Sequence, residues 1–243
     1  MSLTMKINFK LFGITLIVGA IVIFSISSAN YQRQSNLLRE EIFDKCKMIA
    51  TELKHTREYL AETIALSNIE HHDEARGFMP AMAGNEIGKK FYNETGYQLR
   101  QVSSKYRNPD NKPDKFEEKA LLEFGKNEDL SEYKGVDKIN GQRVLRYLLP
   151  LYIEEACLKC HSAKETVPEF IKENYPGDKA TDYKSGDLRG AISVFVPIDR
   201  AESEVKGHLI YMTVITAIGT IFLVAFVALA MNITIKKIDK NKS

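Results

Sequence analysis

Cys157-Leu158-Lys159-Cys160-His161 holds two of the chain's three cysteines and one of its five histidines within five positions. A C-x-x-C-H run is the attachment signature of a c-type haem. The spacing has a chemical reason. Two thiols three positions apart on one turn reach two vinyl-derived carbons of a single porphyrin. The next residue then offers an imidazole nitrogen to the iron, as a proximal histidine does. Cys157 and Cys160 therefore read as the attachment residues of one covalently bound haem c, and His161 as an iron ligand. A zinc site would need a second ligand pair at comparable spacing, which the sequence lacks. A thioredoxin-like pair would sit in a βαβ context, which is also missing.

The surroundings of the motif agree with an exported domain. Residues 11–30 and 209–235 carry no charge and are mostly apolar, each long enough for the roughly 20 residues that a spanning helix needs. Lys6 and Lys10 precede the first stretch; Lys236, Lys237, Lys240 and Lys242 follow the second. Positive flanks stay cytoplasmic. The predicted organisation is a cytoplasmic N-terminus (1–10), a first transmembrane helix (11–30), an extracytoplasmic domain (31–208), a second transmembrane helix (209–235) and a cytoplasmic tail (236–243). The expected location is a bacterial inner (cytoplasmic) membrane, the haem domain facing the periplasm or outside. Ser27-Ser28-Ala29 loosely resembles a signal-peptide cleavage site, but the apolar run exceeds an h-region of about 7–15 residues, which favours a retained helix.

Residues 31–208 suit a single core. The formal charge of the chain is +2, of which six basic residues and one acidic residue lie in the two ends. The remainder holds 28 basic and 31 acidic residues, a mildly acidic balance with no footprint for nucleic acid.

Pattern places an α+β module around the motif. Residues 31–69 read as a long N-terminal helix, with Leu38, Ile42, Ile49, Leu53, Leu60 and Ile64 on one face. Residues 97–103, 144–153 and 189–198 read as strands, and Asp114 as the N-cap of a helix over 115–124. Residues 104–118 read as a surface loop and Pro176-Gly177 as a turn. Cys46 falls on the apolar stripe of the long helix. It reads either as a small core hydrophobe or as a thiolate ligand opposite His161, metal binding being one way to occupy a lone thiol in an oxidising compartment. Met48 and His55 are rotated off that stripe; His71, His72 and His208 read as surface residues. Arg100, Arg146 and Tyr147 read as strand residues rather than as contacts to haem propionates.

Several further stretches carry a family resemblance. They are Arg76-Gly77-Phe78-Met79-Pro80-Ala81, residues 95–103, Arg107-Asn108-Pro109 leading to Glu117, and after the motif Tyr175-Pro176, Tyr183 and residues 186–194. Together they resemble the c-type haem domains with a PAS-like fold and His/Cys axial ligation found in cyanobacterial proteins and bacterial sensors. The resemblance implies a PAS-like antiparallel-sheet haem domain flanked by two transmembrane helices. It also implies a ligand cysteine on the N-terminal helix, which only Cys46 could supply.

No Gly-rich phosphate loop, nucleophile elbow or zinc-hydrolase run appears, so no enzyme is expected. Two function classes remain. The favoured one is an extracytoplasmic redox or small-ligand sensor acting through a partner protein, a homodimer by analogy with two-helix sensors and anchored in membrane lipid. The alternative is a membrane-held electron-transfer cytochrome, which the short tail after residue 235 suits.

Overall fold

Asn140 (φ 52°) and Gly141 (φ 83°) both adopt the left-handed backbone that a two-residue type I′ hairpin demands. In the computed structural model, which describes residues 3–66 and 77–240, they join β2 (Tyr133–Ile139) to β3 (Gln142–Tyr152). β3 then pairs with β4 (Leu188–Pro197), and β4 with β1 (Gln98–Val102), giving an antiparallel sheet in the order β1-β4-β3-β2. The two central strands are buried on both faces over 144–148 and 190–194, so alternate side chains feed two separate cores.

One face meets α3 (Lys115–Lys126), where Ala120, Leu121 and Phe124 pack on Val102, Leu148 and Ala191. The start of α3 follows from its sequence: Asp114 and Glu117 form a reciprocal capping box, satisfying two otherwise orphaned N–H groups. The opposite face carries Tyr147, whose hydroxyl donates to Glu132 Oε2 at 3.0 Å. Lys47 pairs with the same carboxylate at 3.2 Å. Lys47 belongs to α1 (Leu3–Leu66), whose Cys46, Ala50 and Leu53 are buried. The predicted helix over 31–69 is part of α1; residues 67–69 lie outside the described residues.

The predicted strands and the Asp114-capped helix match β1, β3, β4 and α3 to within two residues at each end. Besides the short helix α5 (Glu169–Asn174), two elements have no counterpart in the sequence reading. One is β2, whose Gly and charged residues (YKGVDKI) hide a strand that the Asn140-Gly141 turn would have signalled. The other is α2 (Pro80–Thr95), which starts on a proline at its first position, where the missing N–H costs nothing. Gly84 and Gly88 let α2 lie directly on β1, because a Cβ at either position would collide with Gln101 or with the Leu99 carbonyl.

The chain divides into two compact units, residues 39–199 and residues 1–38 with 200–243. In the second unit the start of α1 meets α6 (Asp199–Lys240): Thr213 Oγ1 donates to Ser27 Oγ at 2.8 Å. The helical stretches Gly13–Ile64 and Ala201–Thr234 are long and apolar enough to cross a membrane.

Arg146 is locked into the sheet–α3 layer. It is 1% exposed and contacts Asp114 at 2.7 Å, Glu117 at 3.0 Å and Asp137 at 3.1 Å. Its guanidinium also lies 4.7 Å from the centroid of the Phe116 ring. Removing one member of a buried ion pair leaves the other uncompensated. Arg146→Ala should therefore cost about 3–5 kcal/mol, read as a lowered midpoint in thermal unfolding of the purified chain. An unchanged midpoint would show that Glu117 does not depend on it.

Candidate haem site

The C-x-x-C-H run begins where β3 ends. A 3-10 turn over Glu155–Cys157 leads directly into α4 (Leu158–His161), a single turn. Ile153 N donates to Asp187 O at 2.9 Å and Gly186 N to Ile153 O at 2.8 Å, tying the entry of the motif to the loop before β4. Tyr183 N donates to His161 O at 3.1 Å and Asp182 N to Ser162 O at 2.9 Å, tying its exit to the same loop. Backbone bonds thus hold the motif from both ends.

His161 Nδ1 lies 2.6 Å from Ala180 O. A carbonyl cannot donate, so Nδ1 carries the hydrogen and Nε2 keeps its lone pair. Ala180 is itself positioned, its N–H donating to Asp178 Oδ1 at 2.8 Å. Asp178 Oδ2 accepts from Arg107 Nε at 2.8 Å, and Arg107 Nη2 donates to Cys160 O at 2.7 Å. The chain of contacts runs from His161 through Ala180, Asp178 and Arg107 back to Cys160. Burial, reinforced by the Arg189 and Arg107 charges, holds the imidazole well below its usual pKa, so it is neutral and able to ligate. Burial also raises the Cys160 thiol, against the opposing pull of Arg107 and Lys159.

Cys157, Cys160 and His161 line a cavity of about 250 Å³. Its other walls come from α1 (Arg57, Ala61, Ile64), the start of α2 (Met79, Met82), Arg107, Tyr175 and Arg189. Three arginines therefore face one space. Arg107 is matched by Asp178, and Arg189 donates to Ser103 Oγ at 2.7 Å. Arg57 differs: its Nη1 is shielded from solvent without a hydrogen-bond partner among the described residues. The neighbouring Glu58 is engaged by Lys54 and His55. Burial and then repulsion from Arg189 bring the Arg57 pKa down to about 10, which still leaves it a cation at neutral pH.

The structure brings together Cys157, Cys160 and His161 but not Cys46. Cys46 is fully buried in the layer between α1 and the sheet, and burial pushes its thiol up to about 12. The first α1 residue at the cavity is Lys54, eight positions on, or about 12 Å along the helix axis. Cys46 is buried as its place on the apolar stripe predicts; a stripe of period 3.6 records burial and is blind to what the buried face meets. Met48 and His55 are largely exposed, His208 is exposed, and His71 and His72 lie outside the described residues. Arg100, Arg146 and Tyr147 keep to the sheet and its α3 and α1 partners, bonding Lys112 O, Glu117 and Glu132 respectively. The residues that sequence reasoning missed are Arg57, Met82 and the Asp178–Ala180 turn. A signal was present for others: Met79-Pro80-Ala81, Arg107-Asn108, Tyr175 and Arg189, all from the stretches that carry the family resemblance, converge on this cavity.

Residues 32–197 match the model of the Tll0287-like family, described as Tll0287. The chain is also similar to the solved crystal structure of the cyanobacterial heme-protein Tll0287. Identity is 32% over a match covering 65% of this chain and 95% of that one, with a TM-score of 0.55. No curated protein matches.

Arg57 Nη1, shielded from solvent without a hydrogen-bond partner among the described residues, costs stability, about 1–3 kcal/mol for a group left unsatisfied. Arg57→Leu should therefore raise the thermal midpoint of the cofactor-free chain. A lowered midpoint would show that Arg57 has a partner after all.

Proposed function

The chain belongs to the Tll0287-like family, and from that premise we propose that it is a membrane-anchored c-type haem protein, sensing redox state or a small ligand outside the cytoplasmic membrane. The observation that carries this reading is the pairing of two free thiols with an imidazole whose Nδ1 is already committed to Ala180. Metal-ligating histidines characteristically donate their other ring N–H to a fixed acceptor, which sets tautomer and orientation.

Cys157 and Cys160 would hold one haem c. Each thiol adds across a vinyl group, its sulfur bonding one carbon and its hydrogen the other, so attachment needs no oxidant. His161 Nε2 would be the proximal ligand. The unmatched Arg57 Nη1 supports the fit, since guanidinium pairs well with carboxylates such as haem propionates. Bound there, the haem supplies a one-electron iron couple and a ferrous site for diatomic ligands.

What the protein adds is a way to register that state. Arg57, Ala61 and Ile64 of the cavity wall belong to α1, an unbroken helix that includes the first apolar stretch. Coulomb interaction between neighbouring charges at an effective dielectric of about 20 is large enough to move a two-state population more than tenfold. Arg57 would therefore couple the charge held in the cavity to α1. The two apolar helices would anchor the chain in the lipid of a bacterial inner membrane, the haem domain in the periplasm. In this reading the protein forms a homodimer, binds no nucleic acid, catalyses no reaction and passes its signal to a partner protein.

Two measurements test this. After denaturation, extraction with acidified acetone should leave the pigment on the chain, and either Cys157→Ala or Cys160→Ala should prevent two-bond attachment; free pigment from the unmodified protein would refute covalent haem. Hydrogen exchange of the full-length protein should differ between ferric and ferrous forms along residues 39–66. Identical exchange, with reversible electron transfer to a partner cytochrome, would identify an electron carrier instead.

A further inference from the structure

A redox sensor and an electron carrier alike must exchange electrons with something outside the haem cavity. Behind the C-x-x-C-H turn lies a second recess of about 270 Å³, whose walls include Ser103, Lys105, Tyr183, Asp187 and Arg189. Arg189 also lines the haem cavity, so at that point the two spaces are one side chain apart. Tyr183 lies in the same partition. It is 7% exposed, its ring meets the His161 imidazole edge-on with centroids 6.0 Å apart, and its N–H donates to His161 O at 3.1 Å. The recess therefore stands one aromatic ring behind the imidazole assigned to the iron. Electronic coupling falls steeply with distance, which makes this a short route between haem and surface.

The outer end of that route is basic and aromatic. Lys105 Nζ lies 4.8 Å from the centroid of the Tyr183 ring, and the Arg189 guanidinium 5.5 Å from it. Next along the chain, the Tyr106 ring carries Lys179 Nζ at 4.8 Å. Cation–π attraction holds both ammonium groups on rings, while Lys105 and Lys179 remain exposed. Arg189 Nη1 also fixes the Lys105 backbone, donating to Lys105 O at 3.3 Å. The acidic residue of the recess is Asp187, whose Oδ2 accepts from Lys184 N at 2.7 Å. Lys105 and Arg189 therefore outnumber it, and Lys179 adds to the excess. Residues 31–208 as a whole hold more acidic than basic residues, so this face has the opposite sign to its domain.

We infer that this face, with Lys105 and Lys179 seated on Tyr183 and Tyr106, is the docking surface for an acidic one-electron partner. Electrons pass between that partner and the haem by way of Tyr183 and His161. Complementary charge steers such encounters and fixes their register, raising association rates by about 10–10³. The inference rests on the covalent-haem reading.

The experiment uses the full-length protein in detergent, with haem content measured as the pyridine haemochrome. The ferrous protein, freed of excess reductant, is mixed anaerobically with ferricyanide, an anion that takes one electron from each haem. Hexaamminecobalt(III) serves as the cationic one-electron oxidant. At low ionic strength the variant carrying Lys105→Glu and Lys179→Glu should react with ferricyanide about tenfold more slowly or worse, and faster with the cobalt complex. Both differences should shrink in high salt, which screens exposed charges. Lys138→Glu makes the same charge change on an exposed residue paired with Arg143, about 30 Å along β3 from its motif end. It should leave both rates unchanged. Unaltered rates in the Lys105/Lys179 variant, or a loss in Lys138→Glu equal to that in Lys105→Glu alone, would overturn the docking surface while leaving covalent haem intact. Absence of covalent haem from the unmodified protein would overturn both readings together.

Discussion

The 2.6 Å contact between His161 Nδ1 and the Ala180 carbonyl is the constraint on which the site depends. It selects the tautomer, aims the ring and adds a side-chain tie between α4, a helix of four residues, and the loop whose backbone bonds already hold its exit. One turn of helix cannot sustain itself in water, because nucleation fixes several residues for each hydrogen bond gained. The Arg107–Asp178–Ala180 relay therefore supplies stability that α4 lacks, and it ends at the Cys160 carbonyl. The imidazole and the Cys160 backbone are thus held by one connected set of bonds. Each member of that set is a buried or half-buried polar group whose partner cannot be removed cheaply.

Around this fixed edge, the cavity is built from elements with different mechanical footings. The wall from α2 is rigid, because two glycines seat that helix on β1 and Gln101 pins its first turn. The wall from α1 is charged, with Arg57 Nη1 unmatched among the described residues and Arg189 repelling it. A rigid wall keeps its shape whatever the cavity holds. A charged wall suits a response to the charge of whatever the cavity holds.

The sheet behind the cavity is held by forces of another kind. Arg146 and Glu117, almost completely buried, compensate each other between the sheet and α3, while Tyr147 and Lys47 share Glu132 on the opposite side. These charges lie apart from the cavity wall, which is why arginines equally plausible in the sequence have such different surroundings. Arg100 and Arg146 sit on strands and are consumed within the sheet–α3 layer. Arg57, Arg107 and Arg189 are brought from α1, a loop and β4 to one space.

Local chemistry was legible in the sequence. The spacing of Cys157, Cys160 and His161 announced the haem motif, the Asp114–Glu117 box announced α3, and two uncharged apolar runs announced two long apolar helices. Each of these signals lies within a few neighbouring residues, at a spacing set by backbone geometry. What the tertiary structure alone decided is which distant residues face the motif. Cys46 and Arg57 lie on the same helix, and periodicity gives both a place on it. Only packing shows that the first is sealed against the sheet while the second opens on the cavity, because the partner of a helical face is chosen by contacts far along the chain.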